Sequence, residues 1–308
     1  MKKDLLDLQE ITTEEIYEVL DLADKLKKEN KLGVEHHILK GKTLGMIFAK
    51  SSTRTRVSFE VGMHQLGGHA LFLSSNDIQL GRGESVYDTA KVLSRFVDGI
   101  MIRTFEQKDV EDLAKYSDIP VINALTDLLH PCQVLADLMT IREHKNGLKG
   151  LKMCYIGDGN NMTNTLIQGA AKVGMDIACA SPEKYTCDLD IVKAAQKTAD
   201  ENNSKILLTT YPKEAIKDAD VIYTDTWISM GQEEEKAQRI KDFEGYEITA
   251  QLMKLAKPDA IFMHCLPVYR GYEAAAEVVD GPQSVIFDEA ENRLHAQKAV
   301  MVKLMSDK

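Results

Sequence analysis

Cysteine is scarce in this sequence of 308 residues, and no two of its cysteines form a C-x-x-C pair. The five are Cys132, Cys154, Cys179, Cys187 and Cys265. An odd number without paired spacing predicts neither a disulfide framework nor a zinc site, and it is typical of a reducing compartment. We therefore expect no bound metal.

The sequence also lacks an apolar run long enough to span a membrane. Its first residues lead into an acidic helical pattern, without the apolar core of a signal peptide or the acid-poor composition of a transit peptide. The cytoplasm is the expected location, and a trimmed organellar form stays open.

Positive charge is in deficit, because 38 Lys and Arg face 48 Asp and Glu, which gives a net charge of -10. An acidic protein lacks the basic face that non-specific nucleic-acid binding needs, so we expect small-molecule ligands rather than nucleic acid or a membrane. The same charge repels an anionic ligand. Any phosphate site must therefore be a local cluster of basic residues.

Short β-rich apolar runs alternate with helical patterns along the whole chain. The predicted strands are residues 43–48, 70–73, 100–103, 121–123, 151–156, 177–180, 206–209, 221–224, 261–264 and 285–287. Strands that alternate with helices predict βαβ units and parallel sheets. The fold class is α/β, with two doubly wound parallel-sheet domains joined by long helices.

A long helical pattern from His130 to about Lys145, followed by Asn146-Gly147, marks the expected domain boundary. The first domain is residues 1–145 and the second is residues 146–288. Residues 289–308 form a C-terminal helix that is expected to pack on the first domain.

In open α/β sheets, ligands bind at the carboxyl ends of the strands. The first strand is followed by the run S-S-T-R-T-R, residues 51–56, which leads into a helix. Amides at a helix start favour an anion, and Arg54 offers a planar fork that matches phosphate oxygens. A helix cap with solvated arginines explains this run alone equally well.

Other polar residues lie close to strand ends, and one more cation lies in the C-terminal helix. Arg103 closes the third strand, His130 and Gln133 open the long helix after the fourth, and Arg293 lies in the C-terminal helix. His130 can also be explained as a helix cap. Because several such residues occur together, the sequence predicts a phosphate site.

Three motifs occur in order, namely S-T-R-T-R at 52–56, H-P-x-Q at 130–133 and H-C-L-P at 264–267. On these motifs the chain resembles the aspartate/ornithine carbamoyltransferase family over essentially its whole length. The resemblance implies that carbamoyl phosphate is held by Ser52, Thr53, Arg54, Thr55, Gln79, Arg103, His130, Gln133, Cys265, Leu266 and Arg293. Gln79 is implied to reach the phosphate site of a neighbouring subunit, in a homo-oligomer built from trimers.

The implied chemistry is attack of an amine on the carbamoyl carbon. Charge develops on the carbonyl oxygen and then on the departing phosphate, so donors and cations at those points lower the barrier. The implied catalytic residues are Arg54, Arg103, His130 and Cys265, and no cofactor is required. Ala49 stands where many family members carry an acidic residue, and no role is assigned to it.

The acceptor site is expected in the second domain. The run G-D-G-N-N at 157–161 suggests a nucleotide fold, but Met162 breaks the G-x-G-x-x-G pattern. Asn160 and Asn161 are instead interpreted as amides that bind an amino acid. A nicotinamide-dependent dehydrogenase is thereby disfavoured.

The segment D-T-W-I-S-M-G at 225–231 resembles the ornithine-specific members of the family. Asp225 is implied to hold ornithine's amino group, and Asn161, Ser229 and Met230 to contact its amino-acid head. A helix cap or turn is the alternative for Asp225. Core packing is the alternative for Met230, and it is the preferred interpretation for Trp227.

Cys265 is implied to lie beside the ornithine side-chain amine, and Cys265 and Leu266 to offer backbone oxygens near the carbamoyl amine. A buried cysteine is more often a small apolar residue. We do not interpret Cys265 as a nucleophile. Residues 229–246 are polar and are expected to form a lid.

The resemblance thus implies transfer of the carbamoyl group to ornithine, giving citrulline and phosphate. Acceptors that stay open are putrescine, N-acylated ornithine and aspartate. A non-catalytic amino-acid-binding protein on the same fold is the alternative from another class. It would predict loss of Arg54, Arg103, His130 and Gln133, all of which are present.

Overall fold

The computed structural model describes residues 3–75, 77–78, 83–228 and 233–306, without the side chain of residue 233. They form two units. The first runs to Met139 and resumes at Glu291, and the second is Thr140–Ala290. The chain passes from the first unit to the second within the helix α5 (Pro131–Lys145).

The first unit is a parallel sheet of four strands in the order β2-β1-β3-β4. Its strands are β1 (Thr43–Phe48), β2 (His69–Ser74), β3 (Gly99–Arg103) and β4 (Val121–Leu125). Its helices are α1 (Thr13–Lys31), α2 (Thr53–Gln65), α3 (Val86–Leu93), α4 (Gln107–Tyr116), the start of α5 and most of α12 (Ile286–Met305).

The second unit is a parallel sheet of five strands in the order β7-β6-β5-β8-β9. Its strands are β5 (Lys152–Ile156), β6 (Asp176–Ala180), β7 (Ile206–Thr209), β8 (Val221–Tyr223) and β9 (Ile261–Met263). Its helices are α6 (Asn161–Val173), α7 (Leu189–Asn202), α8 (Pro212–Ile216), α9 (Lys236–Asp242), α10 (Ala250–Met253) and α11 (Ala276–Val279).

Central strands are buried along nearly their whole length, as expected of parallel sheets covered on both faces. All five residues of β3 are buried, and in β5 only the first is not. In each sheet the chain winds outward in both directions from a central strand pair, which is β1 and β3 in the first unit and β5 and β8 in the second. Such switch points are where open α/β sheets bind ligands.

The predicted fold class is confirmed, but the strand predicted at 285–287 is wrong. Ser284 makes only one bridge to Phe262, and α12 begins at Ile286. A short apolar run at the start of a buried helix has the same composition as a short strand, so periodicity does not separate the two. The expected lid at 229–246 is also partly helical, since Glu233–Glu235 is a 3-10 turn and α9 follows.

The predicted domain bounds, 1–145, 146–288 and 289–308, stay predictions, because a compact unit need not fold alone. Residues of α12 from Glu291 onward belong to the first unit, where Lys303 bonds Glu18 of α1 at 2.5 Å. None of the helices in the described ranges is both long and apolar enough to cross a membrane.

Candidate active site

The first turn of α2 follows β1 and carries the predicted phosphate-binding run. Ser52 caps this helix, and its hydroxyl accepts a hydrogen bond from the Thr55 amide at 3.2 Å. Thr53 is exposed and Arg54 is half-buried. The first amides of a helix have no partner within it, so this capped turn still has amides that can face an anion.

Arg293 joins two of the predicted residues inside the first unit. Its guanidinium donates to Gln133 Oε1 at 2.5 Å and to Thr55 Oγ1 at 3.3 Å. Gln133 in turn donates to Asp137 at 2.8 Å. These contacts bring α2, α5 and α12 together at the carboxyl end of β1.

Arg103 and His130 complete a buried basic cluster in the same unit. Both side chains are less than a tenth exposed. Burial, and then the positive charges of Arg293, Arg103 and Arg54, hold the pKa of His130 well below its usual range. The imidazole is therefore neutral at physiological pH and can donate one hydrogen bond without repelling the cations.

This arrangement favours an anion with a neighbouring carbonyl group. The arginines offer positive charge to phosphate oxygens, and a neutral His130 can polarise a carbonyl. The predicted role of Gln79 concerns a residue outside the described ranges.

Lys50 was not predicted, although it precedes the phosphate-binding run. Its ammonium group pairs with Asp127, after β4, and lies 4.3 Å from the centre of the Phe105 ring, after β3. Lys50 thus ties together the ends of three strands. Its place next to Ser51 was the only signal in the sequence.

In the second unit, Asn160 and Asp225 link the ends of β5 and β8. Asn160 caps α6 by accepting from the Met162 amide at 2.9 Å, and it donates to Asp225 Oδ2 at 2.8 Å. The interpretation of Asn160 as a binder of the amino acid stays a prediction, and its amide makes these two contacts. Asn161 is half-buried at the start of α6.

The carboxylate of Asp225 is buried and held on both oxygens. Besides Asn160, it accepts from the Thr226 amide at 2.8 Å and from Cys265 Sγ at 3.1 Å. The structure therefore brings Asp225 and Cys265 together, as the prediction that both lie near one amine requires. An ammonium group is the natural further partner of a buried carboxylate.

The turn at His264-Cys265-Leu266 is fixed by buried carboxylates. The His264 amide donates to Glu289 at 2.8 Å, and Nε2 of the His264 ring lies 3.2 Å from Glu273. The Leu266 amide donates to His264 Nδ1 at 2.8 Å. Glu273 and Glu289 were not predicted, because nothing in their spacing marks them.

Asp225, His264 and Cys265 place possible ligand atoms within 4.8 Å of one another. Two of those groups are already committed, however. His264 accepts at Nδ1 and faces Glu273 with Nε2, while the Cys265 thiol donates to Asp225. The predicted absence of a metal stays a prediction.

The preferred interpretation of Trp227 as a core residue is confirmed. It is buried and stacks on Phe243, with ring centres 5.2 Å apart and planes 19° apart. Ser229 and Met230, which were predicted to contact the amino-acid head, lie outside the described ranges.

Sequence models of two family domains match nearly the whole chain. The carbamoyl-P binding domain of aspartate/ornithine carbamoyltransferase matches residues 3–143, and the Asp/Orn binding domain matches residues 149–304. The chain belongs to the aspartate/ornithine carbamoyltransferase family. The resemblance inferred from the three motifs is thereby confirmed.

Curated members of the family are similar over their full length. The ornithine carbamoyltransferase of Caldicellulosiruptor saccharolyticus is 62% identical, over 96% of each chain. The solved ornithine carbamoyltransferase of Pyrococcus furiosus is 54% identical and superposes with a TM-score of 0.96, over 98% of this chain and 96% of that one. The Giardia lamblia ornithine transcarbamoylase is 33% identical with a TM-score of 0.90, over 100% and 99%.

Proposed function

We propose that this chain is an ornithine carbamoyltransferase, which moves the carbamoyl group of carbamoyl phosphate to the side-chain amine of L-ornithine and yields L-citrulline and phosphate. The observation that carries the proposal is the buried cluster of Arg103, Arg293 and a neutral His130 beside the first turn of α2. Family members of high identity bear that enzyme's name.

Carbamoyl phosphate is the donor in this proposal. Ser52, Thr53, Arg54 and Thr55 bind its phosphate, and Arg103, His130 and Gln133 hold the carbamoyl group. The attacking amine forms a bond to the carbamoyl carbon, negative charge gathers on the carbonyl oxygen, and the bond to phosphate then breaks. Arginine charge and the His130 N–H stabilise that charge as it develops.

Ornithine is the acceptor, held in the second unit. Asp225 and the thiol of Cys265 orient the side-chain amine, and Asn161, Ser229 and Met230 contact the head group. A primary amine has a pKa of about 10.4 and attacks only after losing a proton. That first proton leaves to solvent, and the departing phosphate accepts the second proton, which the nitrogen loses once the new C–N bond has formed.

The proposed assembly is a homotrimer or a set of trimers. Val57 and Val61 of α2 and Leu71 and Phe72 of β2 are all more than a third exposed, on elements that adjoin in the first unit. A face of this kind supports association with a second copy. Light scattering should give about three times the chain mass of 34.4 kDa, or a multiple of it.

We place the enzyme in the cytoplasm and in arginine metabolism. Its five cysteines are all free thiols, four of them buried, which suits a reducing compartment. A relative from Pyrococcus furiosus is named anabolic, which favours the direction towards citrulline.

An assay with carbamoyl phosphate and a panel of amines tests the function. Citrulline should form from ornithine, with little or no product from putrescine, N-acetylornithine or aspartate. Product from putrescine but not ornithine would overturn the acceptor and keep the donor. No product from any amine would overturn both.

A further inference from the structure

Arg239 is the only residue of α9 with a buried side chain, and it is just 6% exposed. Burying a guanidinium is costly unless each of its faces is satisfied. Specific partners therefore hold its position, and two of them lie at the carboxyl ends of strands in the second unit.

Two partners of Arg239 belong to the turns after β5 and β8. Nη1 donates to Asp158 Oδ2 at 2.9 Å and to the Trp227 carbonyl at 3.0 Å. The guanidinium also lies 4.7 Å from the centre of the Tyr185 ring, and Nε donates to Glu235 at 2.9 Å. One side chain thus bridges both strand-end turns.

Each bridged turn carries a residue of the proposed ornithine site. The backbone oxygen of Asp158 accepts from Tyr155 and Thr163, both at 2.8 Å, which fixes the turn that leads to Asn160. Asn160 donates to Asp225, two residues before Trp227. Displacing Arg239 would release both turns and loosen the carboxylate between them.

We propose that Arg239, through Asp158 and the Trp227 carbonyl, is a positioning residue for ornithine, which sets the Asp225 carboxylate without touching the substrate. The inference rests on the proposed function. Loss of a pair that only stabilised the fold would change the KM values for both substrates alike. Loss of the Arg239–Asp158 pair should change the KM for ornithine alone.

The test compares Arg239→Gln with Arg270→Gln. Arg270 forms an exposed pair with Asp280 at 2.6 Å in the same unit, so it controls for loss of an Arg–Asp pair as such. The KM for ornithine should rise about 10- to 100-fold in Arg239→Gln and stay within about twofold in Arg270→Gln. The KM for carbamoyl phosphate should stay near the wild-type value in both.

A pH profile separates positioning from simple loss of structure. Burial raises the pKa of the Asp158 carboxyl to about 6, Arg239 opposes that rise, and Asp225 and Glu235 add to it. Protonating Asp158 would break its pair with Arg239, so wild-type affinity for ornithine should fall as the pH drops towards 6, and Arg239→Gln should lack this acidic limb. Asp158→Asn should remove the limb.

Arg239→Lys guards against a variant that does not fold. Lysine keeps the charge but cannot make the same directed bonds, so its KM for ornithine should fall between those of wild type and Arg239→Gln. Wild-type citrulline formation is the reference, and its absence would overturn the proposed function and this inference together. With active wild type, an unchanged ornithine KM and pH profile in the Arg239 variants, or an equal change for both substrates, overturns the inference alone.

Discussion

The ends of the two sheets carry opposite chemistry. In the first unit, arginines surround a neutral His130. In the second, the carboxylates of Asp225, Glu273 and Glu289 are buried and held by amides, a thiol and an imidazole. Two sheets of the same parallel kind thus suit ligands of opposite charge, and strand-end residues rather than the fold set this preference.

The largest expected effect comes from removing a cation of the first unit. Arg103→Gln should lower kcat about 10²- to 10³-fold, because a donor to the developing charge is lost. Arg95→Gln is the control, since Arg95 is exposed and donates to the backbone oxygen of Lys91 at 3.3 Å. Steady-state rates with saturating ornithine measure the difference, and equal losses in both variants would contradict the assignment.

Neutralising the Asp225 carboxylate of the second unit should weaken the binding of ornithine. Asp225→Asn keeps the size of the side chain but removes its charge, so the KM for ornithine should rise about 10- to 100-fold. The KM for carbamoyl phosphate should change far less. If carbamoyl phosphate were affected more strongly than ornithine, the contrast between the two units would fail.

Stability should depend on pH through His130. Its folded pKa lies below the unfolded value near 6.5, so the unfolded chain binds more protons and stability falls as pH drops below that value. In His130→Gln, the free energy of unfolding should depend less steeply on pH between pH 7 and about pH 5. Burial also lowers the pKa of His295 and His36, so part of the slope remains.

The smallest effect is expected at Cys265. Its thiol donates to Asp225 at 3.1 Å, and sulfur is a weak donor. Cys265→Ser keeps a donor and should retain more activity than Cys265→Ala, with a difference of about tenfold or less. Rates of both variants across pH check this, and full turnover with an unchanged pH profile in Cys265→Ala would remove Cys265 from the mechanism.

Local pattern was enough to predict most of the fold. The strands at 43–48 and 206–209 match β1 and β7 residue for residue, because short apolar runs bounded by polar turns carry their own signal. The run at 285–287 has similar composition but starts α12. There, the packing of a buried helix outweighed the β preference of its first residues.

Most candidate site residues were predicted from their position after strands, and their roles stay predictions. Arg103, His130 and Asp225 were found because the ends of parallel strands meet at one edge of a sheet. Arg239 and Asp158 are 81 positions apart, and neither stands in a recognisable motif. Their pairing depends on how α9 packs, which sequence spacing does not encode.

Binding of carbamoyl phosphate without ornithine tests the division between the two units most directly. Titration calorimetry should give similar Kd values for wild type and Asp225→Asn, and a Kd raised at least about tenfold for Arg103→Gln. Equal weakening in Asp225→Asn and Arg103→Gln would contradict the claim that the basic cluster of the first unit is the main binding site of the donor.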